Sequence, residues 1–539
     1  MTSFIQRSRG PLFAAILFLF SFASAALAQS AVDGAVGGTV LDSTGAVVAN
    51  AQISVTNTGT NAEQKATTDA TGYFRVIHLQ PGSYHVTIGA PGFQTYDSKG
   101  VTVQVGVLTD VEARLSVGSS SQTVEVTGEA PLVNTTSPDF AGVVDQIALH
   151  DMPQNNYRWS AFALLTPGVV NDSNGFGLLS FRGQSTLLNN VTIDGTDDNQ
   201  AYFSEERGRT RAGYSTIKAA VQEFQVNTSN YSVEYGRSAG GIVNSVTKSG
   251  TNALHGEGYY LDRDSAWAAQ NYYVQHPVPT GTGGYTSVPF KPTDLRRQYG
   301  FGVGGPILKN KVFFFLAADR FYHDFPGAAT ITGTSANANF YTAADSTLPV
   351  GKTCGGSGAA APNYQDANVC QIAKNTGLAY ASAFTIYGDG INALTGVLGT
   401  VPRIGKQVIY FPKLDWQINE KNHLAVEANQ MRWSSPAGIQ TAPAVAYGAR
   451  SWGNDYVRDN WIVGKLDSFI TNTLSNEARF MYGRDFRIRI QPDTHLLRER
   501  EPGQHAVLHQ STRSAAERQS ERVLPVRYAA VPRTRLLPG

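Results

Sequence analysis

Beyond residue 253 the sequence alternates. In KLDWQI (413–418), Leu414, Trp416 and Ile418 fall on one side of an extended chain and Lys413, Asp415 and Gln417 on the other, because successive β side chains point to opposite faces. A polar NEKN follows, and HLAVEAN returns Leu424, Val426 and Ala428 with the same spacing. Residues 476–484 repeat the pattern, with Ala478, Phe480 and Tyr482 against Glu477, Arg479 and Met481. In LHGEGYY, Leu254, Gly256, Gly258 and Tyr260 oppose His255, Glu257 and Tyr259, while RRQYGFGVGG sets Tyr299, Phe301 and Val303 opposite glycines. Alternating strands with aromatics near their ends, joined by short turns and long loops, suit an antiparallel transmembrane β-barrel. A soluble sandwich alternates too, so the upstream sequence has to decide.

Upstream, Arg7 and Arg9 precede an uncharged run over 11–27 that ends Ala26-Leu27-Ala28. This pattern is expected of a signal peptide, residues 1–28. The other reading is a membrane anchor, for which the run is barely long enough. No later stretch reads as a membrane-spanning helix, so membrane residence would have to come from strands. Charged residues make up 16% and the net charge is +1, too sparse a basic surface for a nucleic-acid partner. Cys354 and Cys370 are the chain's two cysteines and share a loop rich in Gly, Ala, Pro and Asn; in an exported protein they are expected to form a local disulfide. Two thiols without a nearby His pair leave a zinc shell incomplete, so neither metal nor cofactor is expected.

Residues 36–118 carry turn signals at short intervals: DSTG at 42–45, NTG at 57–59, DATG at 69–72, and Pro-Gly at 81–82 and 91–92. Between them lie β-branched and aromatic runs such as QISVT, YFRVI, YHVTI and VTVQV, with no room for a helix. Regular strand-turn spacing of this kind indicates a sandwich. GGTVLDSTGAVVANAQISVTN, TTDATGYFRVIHLQPGSYHVTIGAPGF and VEARLSVG together resemble the carboxypeptidase regulatory-like domain. The resemblance implies a transthyretin-like β-sandwich, also classed as a carbohydrate-binding-like fold. It implies no peptidase activity, since neither HxxE nor HExxH occurs here, and the chain is not expected to be an enzyme.

Residues 119–137 form a Ser/Thr-rich linker around a short alternating run, Thr123, Val124, Glu125, Val126 and Thr127. An uncommitted strand of this kind can donate its backbone edge to a partner sheet. The run resembles the TonB box of outer-membrane receptors, which implies a TonB-type energy-transducing partner. It reads equally as the last strand of the sandwich followed by a linker, and Glu125 departs from the more apolar pattern of such boxes.

Residues 140–252 read as a small α/β unit. A short helix is expected through NYRWSAFALL, with Trp159, Phe162 and Leu165 at helical spacing, and a second is within reach of TIKAAVQEF. Strand-like LSFRGQ and NNVTIDGTDDN come between them, and residues 221–252 close the unit with two alternating runs broken by Tyr235-Gly236-Arg237 and Gly240-Gly241. FRGQ (Arg182, Gly183), NNVTIDG (Asn190, Asp194, Gly195), AAVQEFQV (Glu223), YGRSAGG and IVNSVTKSGTN occur in this order. Together they resemble the plug domain of TonB-dependent receptors, and more narrowly the Oar-like subfamily. DGTDDN lacks the spacing and distal Glu of a calcium loop and is expected to be a solvated turn. Arg182, Glu223, Glu234 and Arg237 are candidates for ion pairs that hold the plug to the wall, or else ordinary surface charges.

The barrel is expected over 253–492. Residues 493–539 break the pattern: from His495 on there are eight Arg and no Lys, without lasting alternation. Two readings stand, a disordered basic tail or a shifted reading frame, the second preferred for the abrupt change. A plugged transporter barrel needs about 22 strands, and at roughly 20–25 residues per strand and connection this segment supplies about ten. The barrel is therefore expected to be incomplete and the chain as written not to transport. The resemblances imply an outer-membrane receptor for energised uptake of a large or scarce ligand, a glycan, siderophore or peptide, with the sandwich in the periplasm and lipid around the barrel. The alternative is a surface adhesion or carbohydrate-binding protein anchored by the barrel.

Overall fold

The computed structural model describes residues 32–118, 123–127, 140–152, 159–171, 178–200, 207, 214–231, 235–273, 275–280, 284–329, 353–354, 364–438, 444–445, 448–471, 474–490 and 531–536. The fold is dominated by strands.

The sandwich holds β1 (Gly34–Asp42), β2 (Gln52–Asn57), β3 (Glu63–Thr67), β4 (Tyr73–Leu79), β5 (Gly82–Gly89), β6 (Thr95–Val103), β7 (Leu108–Asp110), β8 (Ala113–Leu115) and β9 (Thr123–Thr127). One sheet runs β4-β1-β7 with β8 also on β1; the other runs β3-β2-β5-β6-β9. Val36, Val40, Ile53, Phe74, Val86 and Ile88 fill the space between them. The two D-x-T-G motifs work alike. Asp42 accepts backbone N–H bonds from Thr44 and Ala46 at 2.8 and 2.9 Å, and Asp69 from Thr71 and Tyr73 at 2.8 and 3.0 Å. Gly45 and Gly72 take the positive φ that closes each turn, a conformation costly for any residue with a Cβ.

The next sheet runs β10-β15-β16-β13-β14. Its strands are β10 (Phe140–Val144), β13 (Asn190–Ile193), β14 (Thr196–Asp197), β15 (Val221–Ser229) and β16 (Ile242–Thr247); β11 (Val169–Asn171) and β12 (Leu179–Phe181) pair beside it. Two helical expectations fail here. TIKAAVQEF supplies only a 3₁₀ turn at Lys218–Ala220 and then β15, where Glu223, Phe224, Gln225 and Val226 are buried on both faces between β10 and β16. Tertiary pairing overrides local helix propensity at this point. Trp159–Leu165 is a 3₁₀ helix that buries Phe162 and Ala163 but leaves Leu165 exposed. The α-helix lies earlier, at Gln146–Asp151, where the Asp145 side chain caps it by accepting the Ala148 N–H at 2.9 Å.

The wall is one antiparallel sheet. It contains β17 (His255–Asp264), then past the loop hairpin β18 (Gln275–Thr280) and β19 (Gly284–Pro289) come β20 (Leu295–Leu308) and β21 (Val312–Asp324). A small loop sheet of β22 (Gly327–Ala329), β23 (Gly399–Val401) and β26 (Ala444–Val445) accompanies β24 (Ile404–Asn419), β25 (Asn422–Ser435), β27 (Asn454–Thr471), β28 (Leu474–Ile490) and β29 (Val531–Leu536). The wall order is β17-β20-β21-β24-β25-β27-β28-β29, and it does not close. Among the described residues between 253 and 492 the sheet has seven strands, where about ten were expected. The strands run to as many as 18 residues, and the β21–β24 connection carries two helices, Tyr364–Thr376 and Tyr380–Thr395, so each unit consumes more chain. A second difference lies in the tail, where β29 pairs with β28. An open edge offers backbone donors and acceptors to a strand whether or not its side chains alternate.

Alternation sorts the wall as expected. Leu414, Trp416, Phe480, Tyr482, Tyr260 and Tyr299 are exposed on its outer side, while Lys413, Asp415, Glu477 and Met481 are buried on the other. Cys354 and Cys370 are joined. The short connections after β20, β24 and β27 gather at one end of the wall, and the longer ones after β17, β21 and β25 at the other. No helix among the described residues is long and apolar enough to cross a membrane.

Candidate functional site: the plug seated on the wall

NVTIDGTD forms the tip that meets the wall. Asp194 (φ 43°) and Gly195 (φ 68°) make the two-residue turn between β13 and β14, the Asp-Gly chemistry of a tight hairpin. The solvated turn expected from DGTDDN is corrected: it is a turn, but Asp194, Asp198 and Asn199 are buried. Asn199 ties the segment to its own backbone. Asn199 Oδ1 accepts the Val191 N–H at 2.9 Å, and its Nδ2 donates to Asn190 Oδ1 at 2.6 Å and Val191 O at 3.1 Å.

Asp194 faces Lys413 of β24, with 3.7 Å between Nζ and Oδ2, and Lys413 lies 3.4 Å from Glu427 of β25. Thr247, the last residue of β16, sits among them. Its hydroxyl accepts from Lys413 Nζ at 2.7 Å and lies 2.5 Å from Asp194 Oδ2 and 3.0 Å from Glu427 Oε2, while its N–H donates to Asp194 Oδ1 at 3.0 Å. Burial pushes the Asp194 carboxyl upward, but the Lys413 ammonium and these hydrogen bonds outweigh it and hold it below the ordinary carboxylate range. One residue on, Arg479 of β28 donates to the Gly195 carbonyl at 2.9 Å, and a Cβ on Gly195 would stand 1.9 Å from its guanidinium. Tyr214 and Tyr259 both donate to Asp319 of β21, which also accepts from Gln298 Nε2 at 2.9 Å. Gln407 Nε2 reaches Tyr214 O at 2.6 Å.

The ion-pair candidates are placed differently. Arg237 (φ 59°) pairs with Asp197 at 2.8 Å inside the plug. Glu223 accepts the Val105 N–H of the sandwich, and burial together with the Asp145 charge pushes its carboxyl up to about 7. Arg182 and Gly183 occupy an exposed positive-φ turn, and Glu234 lies outside the described residues. Asn190 Nδ2 donates to Gly236 O at 2.7 Å, and the Tyr235 hydroxyl to Gln225 Oε1 at 3.3 Å. Gly240 and Gly241 are needed for space: a Cβ would come within 2.4 Å of Asn189 Oδ1 and 2.2 Å of the Phe181 ring, respectively. Thr123–Thr127 is β9, parallel to β6 on the rim of the sandwich. The wall partners Lys413, Glu427, Asp319 and Arg479 were not singled out as a site; their place on the polar side of alternating strands was the available signal.

A mixed sheet whose tip is bonded to the polar side of a strand wall, with an apolar outer side, defines a plugged outer-membrane barrel architecture. The family model described as an outer membrane beta barrel domain matches residues 246–517, just over half the chain, and a carboxypeptidase regulatory-like domain matches 35–116. The chain belongs to this outer-membrane β-barrel family and resides in the outer membrane. The TonB-dependent transporter Oar of Myxococcus xanthus is 28% identical over 306 residues, covering 54% of this chain and 27% of that protein. The outer membrane transporter YddB of Escherichia coli is similar at 12% identity and TM-score 0.41, over 65% of this chain and 39% of that one. A ferric enterobactin receptor of Pseudomonas aeruginosa is similar at 12% identity and TM-score 0.39, over 66% and 41%. The chain thus spans about a quarter of the curated relative and about two fifths of these solved chains.

Proposed function

We propose that the chain provides the sandwich, plug and leading wall strands of a TonB-dependent transporter, and that it does not act as an enzyme. The seat of Asp194 and Gly195 on Lys413, Glu427 and Arg479 carries the reading. A plug held by a few buried polar contacts blocks a lumen, yet those contacts can be exchanged for water when the plug is pulled. The similarity to the transporter Oar supports the same reading. Short turns mark the periplasmic end of such walls. The sandwich meets the wall at that end, through Asn61 and Asn310, and so lies in the periplasm. The transported ligand is a large or scarce molecule taken from outside the cell, of the glycan, siderophore or peptide classes.

Residues 123–127 are the handle for a TonB-type partner, which would add a strand to the rim at β9. The test is disulfide trapping in cells between Val124→Cys and single cysteines in the periplasmic domain of TonB. Trapping at 124, and none at a control position such as Thr44→Cys, is expected. Its absence at every partner position removes the handle and favours the anchored adhesion protein.

A further inference from the structure

The plug is not the last thing on the lumen side of the wall. Asp33 and His78 of the sandwich are buried against β27 and β28, far from the plug tip in sequence. Lys465 Nζ donates to Asp33 Oδ1 and Oδ2 at 2.8 and 2.9 Å and lies 3.2 Å from Asp467. His78 Nδ1 lies 3.2 Å from Asp33 Oδ2, its Nε2 3.1 Å from Ser475 Oγ, and its ring meets the edge of Phe469. Ligand-type atoms of Asp33, His78, Asp467 and Glu477 come within 4.8 Å of one another. The cationic place among them is taken by the Lys465 ammonium, so the cluster is read as an ion-pair contact rather than a metal site.

A second contact sits at the first short turn. Asn310 Oδ1 accepts from Asn61 of the sandwich at 3.0 Å and from Asn252, where the plug leaves for the wall, at 2.7 Å, and the Asn252 N–H donates to Gly59 O at 2.8 Å. Between sandwich, plug and wall lies a cavity of about 600 Å³, bordered by Gly59, Gly82, Thr247, Lys413, Ala425 and Lys465. Anything passing the plug toward the short-turn end enters this space, whose floor is the sandwich.

We propose that the sandwich is a docked gate beneath the plug, held on the wall by Asp33 and Lys465, and that it leaves this seat when the lumen opens to the periplasm. The chemistry suits release. Removing one partner of a buried ion pair strands a charge and costs much, whereas separating the two bodies rehydrates both charges and returns the desolvation already spent. Such a contact is selective about where the sandwich sits without holding it permanently. Because β9 lies on the rim of the same sandwich, a pull on residues 123–127 loads this seat before it loads the plug; the proposal rests in this respect on the transporter reading.

The test uses the full chain in the outer membrane. With Cys354 and Cys370 already joined, Asn61→Cys with Asn310→Cys, whose parent side chains meet tip to tip at 3.0 Å, is expected to be cross-linked by a short bis-maleimide, read by mass spectrometry of the linked peptide. Lys465→Met or Asp33→Asn should lower its yield at least fivefold, and the swap Asp33→Lys with Lys465→Asp should restore it. In the same backgrounds without the added pair, Ala425→Cys should react with a periplasmic thiol reagent at least tenfold faster once the seat is broken. No cross-link, a yield indifferent to both single variants, or an unchanged rate at Ala425→Cys overturns the gate. Loss of TonB trapping with the cross-link intact would sink the transporter reading and leave a docked sandwich. Trapping without the cross-link would sink the gate alone.

Discussion

Lys413→Met is the sharpest test of the plug seat. The substitution keeps most of the side-chain volume and removes the ammonium from between Asp194 and Glu427, which lie 3.7 and 3.4 Å from it. Asp194, buried and stripped of its cation, must take up a proton or leave the seat. Protonating an aspartate of ordinary pKa near 3.9 costs about 4 kcal/mol at pH 7 and about 1.5 kcal/mol at pH 5, from about 1.36 kcal/mol per unit. That route sets the ceiling, and the lost bond from Lys413 to Thr247 adds about 1 kcal/mol. The seat should therefore weaken by about 3–5 kcal/mol at pH 7, the range for breaking a buried pair. In the variant the folded Asp194 pKa is raised above its unfolded value, so stability is retained at low pH and lost as pH rises. Going from pH 7 to 5 should recover about 2.7 kcal/mol, roughly a factor of 100. Ala220→Cys reports on the seat: Ala220 is buried where the plug packs on the wall beside Phe315 and Ala317, and a thiol there reacts only when the plug leaves the wall. Relative to the Ala220→Cys parent at the same pH, Lys413→Met should label about 10²- to 10⁴-fold faster at pH 7, and that ratio should be about a hundredfold smaller at pH 5. A ratio under tenfold at pH 7, or the same ratio at both pH values, would refute the electrostatic account.

Three further outcomes follow from other contacts. The folded pKa of Glu223 is raised from 4.5 to about 7, chiefly by burial, so the folded plug should be most stable below pH 4.5 and lose up to about 3 kcal/mol as pH rises through 7; Glu223→Gln should flatten that dependence in limited proteolysis across pH 4.5–8. Gly241→Ala drives a Cβ toward the buried Phe181 ring and should lower plug stability by about 1–3 kcal/mol, measured by thermal unfolding, with partial recovery on adding Phe181→Leu. Ile462 sits outward at the middle of an 18-residue strand. Ile462→Arg should cost about 2–4 kcal/mol in a bilayer, read as loss of folded protein from the outer-membrane fraction, while Ile462→Leu should be nearly silent.

Much was legible because it is local. The D-x-T-G turns carry their own hydrogen bonds and glycine conformation, so the sandwich announces its hairpins within four residues. Period-2 alternation assigned Leu414 and Trp416 to one side and Lys413 and Asp415 to the other, since that depends only on the pleat. NVTIDG marked a turn through its Asp-Gly pair. Where local preference and partners disagreed, the partners prevailed: TIKAAVQEF has helical residues, but β15 lies between β10 and β16 and is buried on both faces. The TVEVT run stood open between a free segment and a last sandwich strand, and it pairs with β6 because the sheet leaves an edge there.

Alternation says which residues share a face but never what that face meets. The sequence by itself determined a sandwich, a plug-like unit and long strands with one polar and one apolar side, because turn chemistry and the β repeat are written within a few residues. Only the tertiary structure decided that Asp194 seats on Lys413, that Glu223 turns toward the sandwich, and that Asp33 meets Lys465 across 432 positions. Those pairings depend on how separate sheets pack, and a buried charge takes whichever opposite charge the packing brings within reach.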